Sequence, residues 1–207
     1  MRKLKKLLIL VLIAGLTFGC GASAKPDDVV KDFFEAAKTF DMEGMVATIV
    51  PENSAAAAYT KEIFSDEEFE DYPEEFLAYL EENAGKINYE ITSSEVDGDM
   101  ATVTVDVSYI DSYVLLEDVF SEYMTQAFTM AFSTQDVLDE DYDKLMSDIF
   151  LEKMTNGEDA FKDATLEIPC EKIDGKWYIK DVSEDMMDVF LSGFIAAAAT
   201  FESQFNQ

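Results

Sequence analysis

Two stretches of this sequence alternate apolar and polar residues around an Asp-Gly pair, and that pattern admits few folds. In the first, Ile87, Tyr89 and Ile91 alternate with polar residues before Asp97-Gly98, and Ala101, Val103, Val105, Val107 and Tyr109 do so after it. In the second, "TLEIPCEKI" and "KWYIKDV" flank Asp174-Gly175. A period of two gives a strand one apolar face, and Asp-Gly suits the positive backbone angles of a two-residue hairpin turn. Each stretch is therefore expected to be an antiparallel hairpin. A lone hairpin is marginal in water, so both apolar faces need cover.

Helices supply it. From Asp27 to Phe40, the residues Val30, Phe33, Phe34, Ala37 and Phe40 fall on one helical face. Pro26 suits the first helical position, and Asp27 and Asp28 suit the first turn. Asp41 reads as the N-cap of a short second helix carrying Met42, Met45, Val46 and Ile49, with Pro51 after its end. "NSAAAAYTKEIF" is expected to be helical, and "SDEEFEDYPEE" to be an acidic connector. Phe76, Leu77 and Leu80 then recur at helical spacing from Pro73 to Asn83, and Gly85 stops the run.

Residues 112–157 separate the hairpins, far more than the usual connection of ~2–6 residues. Leu116, Phe120, Tyr123, Ala127 and Met130 suit one helix there, and Tyr142, Leu145, Met146, Ile149 and Phe150 a second, with Asn156-Gly157 as its stop. After Ser183, an expected N-cap, Met187, Phe190, Leu191, Phe194, Ile195, Ala198 and Phe201 give a long C-terminal helix a broad apolar face. Helices segregated from antiparallel strands imply an α+β fold.

Charge excludes several functions. Formal net charge is −29; four of the 15 bases lie in the first six residues, ahead of the first acid, Asp27, which leaves eleven against 44 acids. Nucleic acid is disfavoured as a partner, because that binding neutralises phosphates with Lys and Arg. Anionic membrane surfaces repel such a domain as well. The chain has no histidine, which removes Ser-His-Asp and Cys-His catalysis and His-ligated zinc. No motif calls for a cofactor.

"MRKLKK" is a basic leader, and Leu7 to Leu16, "LLILVLIAGL", is an apolar run too short for a membrane span, which needs ~20 residues. The following "LTFGC" resembles the lipobox of bacterial lipoproteins, although Thr17 stands three before the cysteine and Leu16 one further back. That resemblance implies that residues 1–19 are removed and that Cys20 carries diacylglycerol and palmitate. Two acyl chains on one residue suffice for stable anchoring. The alternative is cleavage near "ASA", with Cys20 discarded. On the first reading, residues 20–26 are a short tether, and residues 27–207 form one domain on the extracytoplasmic face of a bacterial membrane. Gly21 is not the Asp that would mark inner-membrane retention, so one- and two-membrane hosts both fit.

"PDDVVKDFFEAAKTFDMEGM", "GDMATVTVDVSYID" and "KIDGKWYI", in that order, resemble exported lipoproteins of the nuclear transport factor 2-like (cystatin-like cone) superfamily. The resemblance covers about Pro26 to Val182. It implies a curved antiparallel sheet with N-terminal helices in its concavity. The helical insertion and the C-terminal helix depart from that pattern.

Such folds host enzymes, ligand binders and scaffolding modules, so function has to come from a site. Tyr109, Asp111, Tyr113 and Trp177 are the candidate pocket-lining residues. Tyr109, Asp111 and Tyr113, with Asp106, would also supply the base and donor of an isomerase-like site; the plainer reading is Tyr109 in the core, Asp106 on the solvated face and Asp111 capping the next helix. Asp139, Asp141 and Asp143 open like a calcium loop, but Lys144 and Phe150 stand where Gly and Glu are required. Cys170 alternates with Leu166 and Ile168, as a buried core thiol would. The expected function is a non-catalytic binding module for a small hydrophobic ligand or, alternatively, an envelope protein.

Overall fold

The computed structural model describes residues 25–51, 72–132 and 138–205. The leader, Cys20, nearly all of the tether, the "NSAAAAYTKEIF" segment and most of the acidic connector lie outside the described residues.

Helices α1 (Pro26–Lys38) and α2 (Met42–Ala47) open the domain. Pro26 occupies the first turn of α1, and Asp41 caps α2 through Oδ1, which accepts from the Gly44 amide at 2.9 Å. Then come α3 (Glu74–Ala84), β1 (Asn88–Asp97) and β2 (Met100–Ile110). The insertion is the helical pair α4 (Ser112–Ala131) and α5 (Asp139–Asn156). Strands β3 (Phe161–Ile173) and β4 (Lys176–Ile179) follow, and then α6 (Glu184–Phe190) and α7 (Phe194–Phe205).

The four strands form one antiparallel sheet in the order β1-β2-β3-β4. Its centre is β2 on β3, paired from Met100 opposite Glu171 to Ile110 opposite Phe161. The two hairpins are thus joined strand to strand, and the helical insertion is the long connection between the central pair. Asp174 and Gly175 both take positive φ, 52° and 84°, as a two-residue turn of mirror-image type requires. The first hairpin differs by one residue from the sequence expectation. Asp97 pairs with Met100, so the turn residues are Gly98 and Asp99, and Gly98 alone of the two has positive φ.

One sheet face is apolar. Val103, Val105, Leu166, Ile168, Cys170 and Ile179 are buried there against Val30, Phe33 and Phe34 of α1. Burying each of those large side chains contributes about 1.5–3 kcal/mol. The other face carries Thr102, Asp106, Thr165 and Glu167, all exposed. Both edges are guarded. Along β4, the Val50 amide donates to the Ile179 carbonyl at 3.0 Å, and the Ile179 amide to the Thr48 carbonyl at 2.9 Å. Along β1, the register shifts between Ile91 and Ser93, and Glu90, Glu95 and Asp97 add charge. A bulge and charges both discourage pairing with a foreign strand.

Two helix ends depart from expectation. Gly157 follows α5 at φ −68°, without the left-handed turn expected of it. Its need for glycine is space: a Cβ there would lie 2.6 Å from the Lys153 carbonyl oxygen. The C-terminal helix comes in two pieces, α6 and α7, bent by 108°. Ser192 and Gly193 make the bend with φ of 56° and 80°. At Gly193 a Cβ would meet the Ile110 carbonyl oxygen at 2.8 Å, whereas at Gly175 it would meet nothing within 4 Å. In urea unfolding, Gly193→Ala should therefore cost about 2–3 kcal/mol and Gly175→Ala about 1 kcal/mol. Equal losses would show that the close approach to Ile110 does not fix the bend.

Candidate functional site

The densest polar chemistry lies where β2 ends. Tyr109 is on the apolar side of its strand and 4% exposed. Its hydroxyl donates to Asp188 Oδ2 at 2.8 Å, and Lys162 Nζ from β3 reaches the same oxygen at 2.8 Å. The Lys162 ammonium also sits 5.0 Å from the Tyr109 ring centre. The other carboxylate oxygen of Asp188 accepts from the Ala196 amide at 2.8 Å, in the first turn of α7. Asp188 is 5% exposed, so it is a buried carboxylate with three donors from three elements. Burial, then the hydrogen bond to Asp188, holds the Tyr109 hydroxyl far above its ordinary value of 10.0. Beside it, Ser112 donates twice to the Ser192 carbonyl, from Oγ at 2.6 Å and from its amide at 3.2 Å.

This cluster joins elements and leaves little for a substrate. None of the described hollows is lined by Tyr109 or Asp188. Asp111 caps α4 and accepts from the Tyr113 amide at 3.2 Å. It also borders a hollow of about 40 Å³ with Tyr79, Asp118 and Lys153. The Tyr113 hydroxyl accepts from Gln204 Nε2 at 3.0 Å, and its ring lies 5.5 Å from that of Phe201. Trp177 stands apart, in an open groove of about 520 Å³ with Lys25, Asp28, Asp32, Glu35 and Lys176. The structure therefore gathers Tyr109, Asp111 and Tyr113 at one end of β2 and places Trp177 elsewhere.

The remaining candidates sit on local scaffolding. Asp106 is on the outer face and accepts from Thr165 Oγ1 at 2.7 Å. Asp139 and Asp141 lie in the first turn of α5, where acids suit the helix dipole, and Asp141 accepts from the Leu138 amide at 2.9 Å. Cys170 is fully buried, with Sγ 3.7 Å from the Ile168 carbonyl. Burial, and then the charge of Asp27, pushes its thiol up to about 12. Two other hollows are open: one of about 510 Å³ on the outer sheet face, and one of about 340 Å³ between α3 and the end of α5. In the latter, Lys86 pairs with Asp159 at 2.9 Å and Glu82 at 3.1 Å; its burial works against the charge, but these partners outweigh it and raise its pKa.

Sequence reasoning passed over Asp188 and Lys162. The usable signal was an acid inside the apolar run Met186, Met187, Val189, Phe190, since a charge on a core face needs a partner. Nothing local in the sequence marks Lys162 as that partner.

Removing one member of the pair tests the cluster. Lys162→Met leaves Asp188 buried without its cation and should cost about 3 kcal/mol. A double-mutant cycle with Asp188→Asn should show coupling of at least about 1 kcal/mol; coupling near zero would demote the pair to a surface contact. The Cys170 thiol gives a separate test. Its folded pKa is raised, so its contribution to stability is complete below the ordinary value of 9.0 and is lost between there and about 12. Unfolding free energies from urea titrations at pH 8, 9 and 10 should fall by up to about 1.4 kcal/mol per pH unit above 9. Cys170→Ala should remove that component, and an unchanged profile would refute it.

No protein-family model matches the chain, and neither does any curated protein sequence. Among solved structures, that of YcdA, a candidate lipoprotein from Bacillus subtilis, is similar at a TM-score of 0.39 and 17% identity, over 82% of this chain and 47% of that one. The chain thus spans about half the length of the solved one. A likeness of that size leaves both family and function to be argued from the residues.

Proposed function

We propose that this chain is a bacterial lipoprotein, anchored through Cys20 on the extracytoplasmic face of the membrane. On this reading residues 27–207 act as one non-catalytic binding module of the cone-like kind that the sequence resembles, and the ligand is an envelope protein. The observation that favours a protein over a small hydrophobic ligand is the filled space between sheet and helices. Val30, Phe33, Phe34, Val103, Val105 and Ile168 are each 2% exposed or less, and they meet where a cone-shaped pocket would otherwise lie. The grooves that do open are at the surface and edged by acids such as Asp28, Asp32 and Glu35. An apolar molecule gains little from such walls, because small-ligand sites are mostly apolar and enclosed. The cluster around Asp188 supports the non-catalytic reading, since its hydrogen-bonding groups face one another.

Two measurements test this. Cells fed radiolabelled palmitate should label the wild-type chain and leave Cys20→Ser unlabelled; equal labelling of both would end the lipoprotein reading. Native mass spectrometry of the purified protein should show the polypeptide and its anchor alone. A stoichiometric small apolar molecule, retained on Cys20→Ser, would favour the ligand-binding reading instead.

A further inference from the structure

We infer that the free half of the α4–α5 hairpin is a docking surface for a protein that offers an apolar groove rimmed by lysine and arginine. This rests on the binding-module reading above and names the surface it would use.

The helical pair is thinly buried. Ser112, Val119 and Ile149 are its buried residues, and all three lie toward the end that joins the sheet. Beyond Phe120, the described part of α4 has no buried residue. Met124, Phe128 and Phe132 follow one another at intervals of four, and so share a helical face. Phe128 is 58% exposed, Phe132 83%, and Leu138, just ahead of α5, 57%. Met146 of α5 is exposed too. Large apolar side chains clustered in water mark an interaction surface far more often than scattered ones do.

Three classes of occupant compete, and charge and topology separate them. The chain enters the domain at Lys25, which shares a groove with Lys176 and Trp177 beside the β3–β4 turn. That turn neighbours the β1–β2 turn, where the Lys172 amide donates to the Asp99 carbonyl at 2.7 Å. The helical pair leaves from Ile110, at the opposite end of β2. An 11-residue strand separates the two ends by roughly 35 Å, so the root of the helical pair lies far from the point where the chain enters the domain. Anionic lipid is further disfavoured because the cation on this part of the pair, Lys144, is ion-paired with Asp148 and is outnumbered by Asp139, Glu140, Asp141 and Asp143. A second copy is disfavoured by the acids at the start of α5: it would set the exposed Asp139, Glu140, Asp141 and Asp143 against their own counterparts. What complements an apolar stripe edged by acids is an apolar groove edged by bases.

The experiment uses the anchored, full-length protein in its host cell. The photocrosslinker p-benzoylphenylalanine replaces either Phe128 or, on the outer sheet face, Thr102. The expected result is an adduct of one discrete protein from position 128, whose crosslinked segment carries Lys or Arg beside apolar residues. Phe132→Ser, which changes no charge, should lower its yield about tenfold, while Val96→Ser, at the far end of the sheet, should leave it unchanged. Both side chains are more than half exposed, so melting temperature and circular dichroism should match the parent. An adduct with lipid or with a second copy overturns the inference, as does the absence of any adduct from position 128, or a protein adduct indifferent to Phe132→Ser. Protein adducts from Thr102 alone overturn this surface and leave the binding-module reading standing. A bound apolar molecule in native mass spectrometry overturns the choice of a protein ligand independently of either position.

Discussion

The carboxylate of Asp188 is the interaction on which the arrangement of the C-terminal half depends. A charge 5% exposed loses most of its hydration, and that loss is several kcal/mol unless donors replace the water. Here the donors come from β2, β3 and the start of α7. Each is far from Asp188 in sequence or lies across the bend that follows it. Satisfying the carboxylate therefore requires the sheet to be paired and the bend to be made at once. The Gly193 amide adds a bond to the Asp188 carbonyl at 2.7 Å, so the residue holds the bend through backbone as well as side chain. An apolar residue at that position would cost less to bury, and would specify the bend less sharply.

The bend in turn sets where α7 can lie. With Ser192 held by both donors of Ser112, α7 runs back beside α4, and Phe201 reaches the rings of Tyr113 and Phe120 at 5.5 and 6.1 Å. At its other end Phe194 meets Phe76 of α3 at 5.2 Å and Phe150 of α5 at 6.5 Å. One helix thus ties α3 to both helices of the insertion through aromatic contacts. Such contacts each add about 0.5–1.5 kcal/mol beyond the area they bury. These links lie in the part of the insertion nearest the sheet, which is why its outer half keeps its apolar residues in water.

What was legible in the sequence follows from how local each signal is. The strands, their inward faces and the Asp-Gly turns were readable because a period of two and a two-residue turn are short-range facts. The caps Asp41, Asp111 and Ser183 were readable for the same reason, and each accepts from an amide two or three residues on. The first turn slipped by one residue, because Asp97-Gly98-Asp99 allows glycine at either turn position. The C-terminal bend was missed because its cause is not local: the apolar stripe continues past Ser192-Gly193, and only Ile110, Ser112 and Asp188 make straight continuation costly. The candidate site fared likewise. Tyr109, Asp111 and Tyr113 are neighbours in sequence and remain so in space, but the partners that engage the two tyrosines are the distant Asp188, Lys162 and Gln204.

The charge distribution gives the fold a division of labour that the sheet makes physical. A strongly acidic chain resists compaction through self-repulsion, yet among the described residues most acids lie on the outer sheet face and the helix surfaces, in water. Asp188 is buried, and it has its own cation, Lys162. Structural polarity is thus concentrated near Ile110, where the insertion leaves the sheet. The opposite end, with its two tight turns and the entry of α1, has no such cluster among the described residues and is built for nearness to the chain's N-terminal segment. Between them β2 and β3 form a spacer paired along its whole length. On the proposed binding-module reading, that spacer would hold the root of the helical hairpin at a fixed distance from the point where the chain enters the domain.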